Sequence, residues 1–317
     1  MHVLITGGAG FIGSHIAHRL REQGQEVTIL DNLSTGFREN IPAGARFLPL
    51  DLSDESFVGG LREVEADAVI HMAAQSSGEI SFDNPVYDLK TNTLGTLLLL
   101  KWSLDHGVKK FIFTSSMTAY GDGTSTARVE TDPVRPKSFY GVGKAASEYY
   151  INIFADMGLD TTIFRLFNIY GPGQNMENLR QGMVSIYMAY IAQNQPILVK
   201  GPLDRFRDFV YIDDVMRAID MALKNPRSRG GTFNVCTGRK VPVSELLDII
   251  TGAFGHRRGT YPITLGPRTP RDQDGVFGSY ELIRSRLGWE PTVTLEEGVA
   301  QMAAWVKEYY RKKARQG

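Results

Sequence analysis

Tyr140 and Lys144 stand four residues apart in SFYGVGKAASEYY, directly after the PVRPKS run. On a helix that spacing sets the phenol and the ammonium on one face, one turn apart. A free phenol, with a pKa of about 10, is too weakly acidic to serve as a base at neutral pH, and a neighbouring cation favours its ionised form. Lowering it by roughly three units corresponds to about 4 kcal/mol of differential interaction, a demand that two close cations can meet. Alone, the pair is better read as an amphipathic helix with a buried aromatic and a solvated lysine. Its surroundings change that. FIFTSSMTAYG closes an apolar run, so Ser115, Ser116 and Thr118 fall at the carboxyl edge of a sheet, where open α/β folds bind ligands.

A second constellation lies at the N-terminus. In LITGGAGFIGSH, Gly7, Gly10 and Gly13 are spaced three apart between an apolar run and a helical pattern. Such glycines permit a tight turn, close approach of backbone to a pyrophosphate, and close packing of helix on strand; the helix N-terminus then offers free N–H groups to the phosphates. Phe11 and Ile12 lie inside this loop. EVTILDN places Asp31, followed by Asn32, eighteen residues after Gly13. A carboxylate there accepts hydrogen bonds from an adenosine ribose and repels a 2′-phosphate, so NAD is expected rather than NADP. Asp51 and Leu52 follow the third apolar run, where an adenine edge could be gripped. Ala73 and Ala74 in HMAAQ let backbone approach the cofactor.

The elements that must position these groups alternate. HVLIT, EVTIL, ARFLPL, DAVIHMA, KKFIFTSS and DTTIFRLFN read as strands; FIGSHIAHRLREQG, DLKTNTLGTLLLLKWSLDHG and SFYGVGKAASEYYINIFADMG read as helices. The implied class is α/β: a doubly wound parallel sheet with right-handed crossovers. After Asn168 the rhythm breaks into the loop IYGPGQNMENLRQG and shorter elements. Two units are expected, 1–168 for the dinucleotide and 169–317 mainly for substrate, with 208–238 returning to the first. Lys+Arg and Asp+Glu are both 35, which gives no net pull toward nucleic acid or an anionic membrane. LGTLLLL is far too short to span a bilayer. The chain opens straight into a strand with no leader pattern. The one cysteine, Cys236 in TFNVCTG, reads as inert core, and a cytoplasmic compartment fits. No metal site is expected.

TGGAGFIG, DN, HMAAQ, TSSMTAYG, YGVGK and RLFNIYGPG, with FRDFVYIDDV and LGWEPTVTLEEGV further on, carry a resemblance across nearly the whole chain. The sequence resembles the extended short-chain dehydrogenase/reductase family, in the branch of NAD-dependent nucleotide-sugar epimerases and dehydratases, and within it the UDP-glucose 4-epimerase type. The resemblance implies that Tyr140 is the acid/base, that Lys144 contacts the nicotinamide ribose and lowers the phenol pKa, and that Ser116 hydrogen-bonds the reacting sugar oxygen. It adds Asn92 on the cofactor side. On the substrate side it implies Thr118, Asn168, Arg207, and one of Arg268 and Arg271, which flank the expected arginine position in PRTPRDQD. The mechanism the resemblance implies is that hydride leaves C4 for NAD, a 4-keto sugar turns over, and hydride returns to the other face.

Departures from sister enzymes narrow the branch. Met117 and Thr118 stand where sugar 4,6-dehydratases carry an Asp-Glu pair, and Thr118 where UDP-glucuronate decarboxylases usually place a glutamate. Oxidation and re-reduction at C4 of a UDP-hexose remain; UDP-glucuronate or UDP-N-acetylhexosamine epimerisation, or a nucleotide-sugar reductase, are the alternatives. Arg180 or Asn175 could meet a sugar hydroxyl or carboxylate, and Gly275 with Val276 could leave a roomier pocket. Relatives of this kind form homodimers through two helices, here about 88–106 and 140–157.

Overall fold

The structure is a computed structural model that describes residues 1–123, 125–268 and 273–316, the Gln316 side chain excepted. Arg271 therefore lies outside the described residues. The first part runs β1 (His2–Thr6), α1 (Phe11–Glu22), β2 (Glu26–Leu30), β3 (Arg46–Leu48), α2 (Phe57–Gly60), β4 (Ala68–His71), α3 (Ile80–Asp83), α4 (Pro85–Leu89), α5 (Gly95–Asp105), β5 (Lys110–Ser116), α6 (Phe139–Asp156) and β6 (Asp160–Leu166). The remainder runs β7 (Asn168–Tyr170), α7 (Met183–Ala192), β8 (Ile197–Lys200), β9 (Phe206–Arg207), β10 (Phe209–Tyr211), α8 (Ile212–Lys224), β11 (Gly231–Val235), β12 (Val241–Pro242), α9 (Val243–Ala253), β13 (Ile263–Gly266), β14 (Gly275–Val276), α10 (Glu281–Leu287) and α11 (Leu295–Gln316).

Seven strands form one parallel sheet in the order β11-β6-β5-β4-β1-β2-β3. The order reverses between β1 and β4, and a crevice opens beyond their carboxyl ends at such a reversal. The strands are covered on both faces, which is why they read as unbroken apolar runs rather than alternating ones. Successive side chains still point to opposite faces. Val3 and Ile5 join a core that continues through α1 and α8 into the second lobe, to Val241, Trp289 and Val299. Leu4, Val69 and Phe113 pack instead against α5 and α6 through Leu99, Trp102, Ile151 and Phe154. β11 lies at the sheet's edge beside β6, so the α8–β11 stretch packs with the first unit.

Two local features shape the site. The helix expected from Asp88 starts earlier, at Pro85, because Asn84 caps it by accepting the Tyr87 N–H at 3.0 Å and proline fits the first helical position. The stretch Lys90–Leu94 between α4 and α5 then widens into a π-turn. The Asn92 carbonyl there takes the Ser147 hydroxyl of α6 at 2.7 Å, locking α6 to its neighbour. Ser138 caps α6, its hydroxyl accepting the Gly141 N–H at 3.1 Å, so the helix begins at Phe139 and carries Tyr140 in its first turn.

Candidate active site

Two clefts open beyond the carboxyl ends of the sheet, and they share Phe11, Ile12, Met72, Ala74, Ser76 and Thr114 along one wall. The first is lined by Gly7, Gly10, Phe11, Ile12, Gly13, Asp31, Asn32, Asp51, Leu52, Ala73 and Ala74. The glycines here are structurally required. A Cβ on Gly7, whose φ is +71°, would sit 2.7 Å from the Ala73 nitrogen, and one on Gly13 would sit 2.1 Å from the Gly7 carbonyl oxygen. Asp31 is buried, with Oδ2 accepting from the Ala9 N–H at 3.0 Å and Oδ1 from the Leu33 N–H at 2.8 Å. Burial raises its carboxyl above the usual range, against those two hydrogen bonds. Each carboxylate oxygen keeps further acceptor capacity for a diol. Asn32 donates to Asp51 Oδ2 at 2.9 Å, tying the second and third βα loops together. A side-chain-free cradle at a helix N-terminus beside a buried carboxylate fits a dinucleotide with an unphosphorylated ribose.

Asn92 sits differently. It is buried beneath the cleft wall, where its Oδ1 accepts the Gln75 N–H at 3.0 Å and its Nδ2 donates to the Gln75 carbonyl at 2.9 Å. It pins the loop after β4 and acts on the cleft through that loop.

The second cleft, about 460 Å³, holds Ser116, Thr118, Tyr140 and Lys144 on one side. Tyr140 is half-buried and lines the cleft beside Ser116. The Ser116 oxygen is held in turn by the Thr118 N–H at 3.2 Å and the Thr118 hydroxyl at 3.0 Å. Lys144 is 3% exposed and donates to the Thr114 carbonyl at 2.8 Å. Its ammonium lies 6.0 Å from the Tyr140 ring centre. Burial pushes the phenol up to about 12, opposed by the Ser116 hydroxyl, and pulls the Lys144 ammonium down to about 8, opposed by Asp88 and Glu148. The protein alone thus favours the protonated phenol, in line with the expectation that two cations, Lys144 and the nicotinamide ring, are needed to lower its pKa. Ser115 points the other way along β5, and its hydroxyl donates to Glu148, one turn past Lys144 on α6. Glu148 is paired with buried Arg165 of β6 at 2.7 Å.

Asn168 and buried Arg207 line the same cleft, and the Asn168 amide donates to the Asp208 carbonyl at 2.9 Å. Arg268 packs over Gly201 and pairs with Asp274 at 2.6 Å, beside the cleft rather than in its lining. Gly275 and Val276 are also absent from the lining: they form β14, fully buried against β9, so they do not widen the pocket. Gln273 lines it in their place, donating to the Gly121 carbonyl. Arg180 lines the cleft; Asn175 lines the dinucleotide side. Lys137, Lys200 and Arg205 add cations that the sequence reading did not single out. For Lys200 and Arg205 the one signal was the density of basic residues around VKGPLDRFR.

The chain from residue 3 to 236 matches the model of the NAD dependent epimerase/dehydratase family. The chain is 34% identical to the UDP-glucose 4-epimerase of Mycolicibacterium smegmatis, over 99% of this chain and 100% of that protein. A crystal structure of UDP-glucose 4-epimerase from Thermotoga maritima with UDP-glucose is 36% identical, with a TM-score of 0.91 over 99% of this chain and 100% of that one. The Thermus thermophilus UDP-glucose 4-epimerase in complex with NAD is 36% identical, with a TM-score of 0.89 over 97% and 99%. The glycine cradle, the buried Asp31 and the Ser116–Tyr140–Lys144 wall therefore belong to a member of the NAD-dependent epimerase/dehydratase family.

Proposed function

We propose that the protein interconverts the C4 epimers of a UDP-hexose of the UDP-glucose/UDP-galactose type through a transient 4-keto sugar. The observation that carries this reading is the single wall on which Ser116, Tyr140 and Lys144 meet, in a cleft continuous with the dinucleotide cradle. NAD, when bound, supplies an acceptor for the hydrogen and electron pair at C4 and gives both back. The residues supply the rest. Ser116, oriented by Thr118, hydrogen-bonds the reacting O4. Tyr140 removes the O4 proton and later returns it. Lys144, fastened to Thr114, carries the charge that favours phenolate once the oxidised nicotinamide adds its own. Asn168, Arg207 and Arg205 are the donors for the diphosphate, with one of Arg268 and Arg271 as a further cation. The reaction returns every proton and electron to the sugar, so the cofactor is expected to remain bound between turnovers.

The subunit is proposed to act as a homodimer in the cytoplasm. Phe139, Val142, Tyr149, Ile153 and Met157 form an exposed apolar stripe along α6, beside exposed Val86 and Leu89 of α4. Residues spaced this way line one helix face, and a patch of this kind marks a protein interface. Among the described residues no helix is long and apolar enough to cross a membrane.

The test is a panel of UDP-glucose, UDP-galactose, UDP-glucuronate and UDP-N-acetylglucosamine, with C4 configuration read by NMR and no cofactor added. Inversion of the first two supports the reading. Dependence on added NAD(P)H with net reduction would replace it by a reductase. The N-acetyl sugar is on the panel because a UDP-N-acetylglucosamine 4-epimerase from Methanobrevibacter ruminantium shares the fold, at 26% identity and a TM-score of 0.89.

A further inference from the structure

Four charged side chains meet at the sugar cleft in a way the C4 chemistry does not use. Glu79 lines the cleft together with Arg180 and Lys200. The Lys200 ammonium donates to both Glu79 carboxylate oxygens, each at 3.2 Å. Arg180 approaches Glu79 at 3.5 Å and turns its other edge to Asp83 at 2.7 Å. The Ser77 hydroxyl holds the Arg180 carbonyl at 3.3 Å, so the cluster joins the loop after β4 to the segment before α7.

This cluster stands beside the reacting centre. The Phe82 ring lies 5.4 Å from that of Phe139, the first residue of α6. A Cβ on Gly78 would come 3.6 Å from the Ser138 hydroxyl, and Tyr140 follows two residues later. In a hexose whose C4 oxygen faces Tyr140, the nearest substituents are those on C3 and C5, and C5 carries C6. C6 is thus one of the two substituents that groups at this edge can meet.

We propose that Glu79 selects for a sugar whose C6 is an uncharged hydroxymethyl group and excludes a hexuronate, an inference that rests on the epimerase reading above. Two cations and two carboxylates cancel at this edge. A substrate carboxylate would find Arg180 and Lys200 already engaged, and would meet Glu79 as a like charge within a partly desolvated cleft. A hydroxyl meets no such conflict: it can donate to Glu79 and accept from either cation.

The experiment compares UDP-glucose with UDP-glucuronate in wild-type holoenzyme, Glu79→Gln and Asp83→Asn, by titration calorimetry and by NMR of C4 inversion. Glu79→Gln is expected to raise the UDP-glucuronate to UDP-glucose ratio of kcat/KM, and of affinity, by about tenfold or more. Asp83→Asn, which releases Arg180 from outside the cleft lining, is expected to shift the ratios the same way by less. UDP alone should bind all three proteins equally, which reports an intact fold. A wild type that prefers UDP-glucuronate, or a Glu79→Gln ratio that stays level or falls while UDP binding holds, overturns the proposal. Failure of the epimerase reading has a different signature: wild type binds UDP-glucose over UDP-glucuronate but inverts neither. Binding of neither sugar removes both.

Discussion

The Lys144 ammonium gives its hydrogen bond to the Thr114 carbonyl at 2.8 Å and stands 6.0 Å from the centre of the Tyr140 ring. The lysine is thus fastened to the sheet rather than to the phenol, and burial leaves that phenol at about 12 in the protein alone. On the mechanism proposed above, the positive charge of the bound, oxidised nicotinamide would bring that value down. Ultraviolet titration of wild type against Tyr140→Phe should show no Tyr140 ionisation in cofactor-free protein until near pH 12, and a fall of at least about one unit when NAD is added. Equal titration with and without NAD would remove the cofactor from this role. Tyr140→Phe should retain NAD and lose turnover by about 10²-fold or more.

Cofactor choice should follow Asp31. Its carboxylate is held by the Ala9 and Leu33 N–H groups and lines the dinucleotide cleft. Asp31→Ser is expected to weaken NADH binding by about 10- to 100-fold, the weight of hydrogen bonds to a charged group, and to weaken NADPH binding less. Fluorescence titration reads both. An unchanged NADH to NADPH preference would place the ribose elsewhere.

His71 gives the fold a pH dependence. Its ring is fully buried between the Thr6 hydroxyl at 2.6 Å and the Thr96 hydroxyl at 2.8 Å, and burial pulls its pKa down to about 3. The unfolded chain takes up this proton near 6.5, the native state only near 3, so the unfolded state binds more protons in between. Stability should fall as pH drops below about 6.5, by about 1.4 kcal/mol per unit from this residue. His71→Asn lowers stability at pH 7, but urea titrations should show the gap to wild type narrowing by about 2 to 3 kcal/mol by pH 4.5. A constant gap contradicts the linkage.

The apolar stripe on α6 predicts the assembly. Wild type should elute as a dimer, and Ile153→Glu, a charge placed in the middle of an exposed run, should elute as a monomer with an unchanged far-ultraviolet spectrum. A monomeric wild type sinks the prediction.

What the sequence made legible was local in the chain. Gly7 to Gly13 and the Tyr140–Lys144 step each lie within one strand–turn–helix or one helical turn, and their spacing alone carries the geometry. Asp31 was legible because β2 must end beside β1 in a fold of this class. What stayed hidden depends on distant partners. Nothing near Asn92 announces that its amide will pair with the backbone of Gln75, seventeen residues earlier. Gly275 and Val276 look open in sequence and are sealed because β14 pairs with β9. Glu79, Lys200 and Arg205 come together only when the second lobe folds back over the sheet edge, and no periodicity records that.

On the mechanism proposed above, one hydrogen leaves C4 and returns to the same carbon from inside the cleft, with Tyr140 moving the proton. UDP-galactose carrying deuterium at C4, incubated in ordinary water with no cofactor added, tests it directly. UDP-glucose with the deuterium still on C4 is the expected product. Deuterium washed out to solvent, or a sugar recovered without inversion, contradicts it.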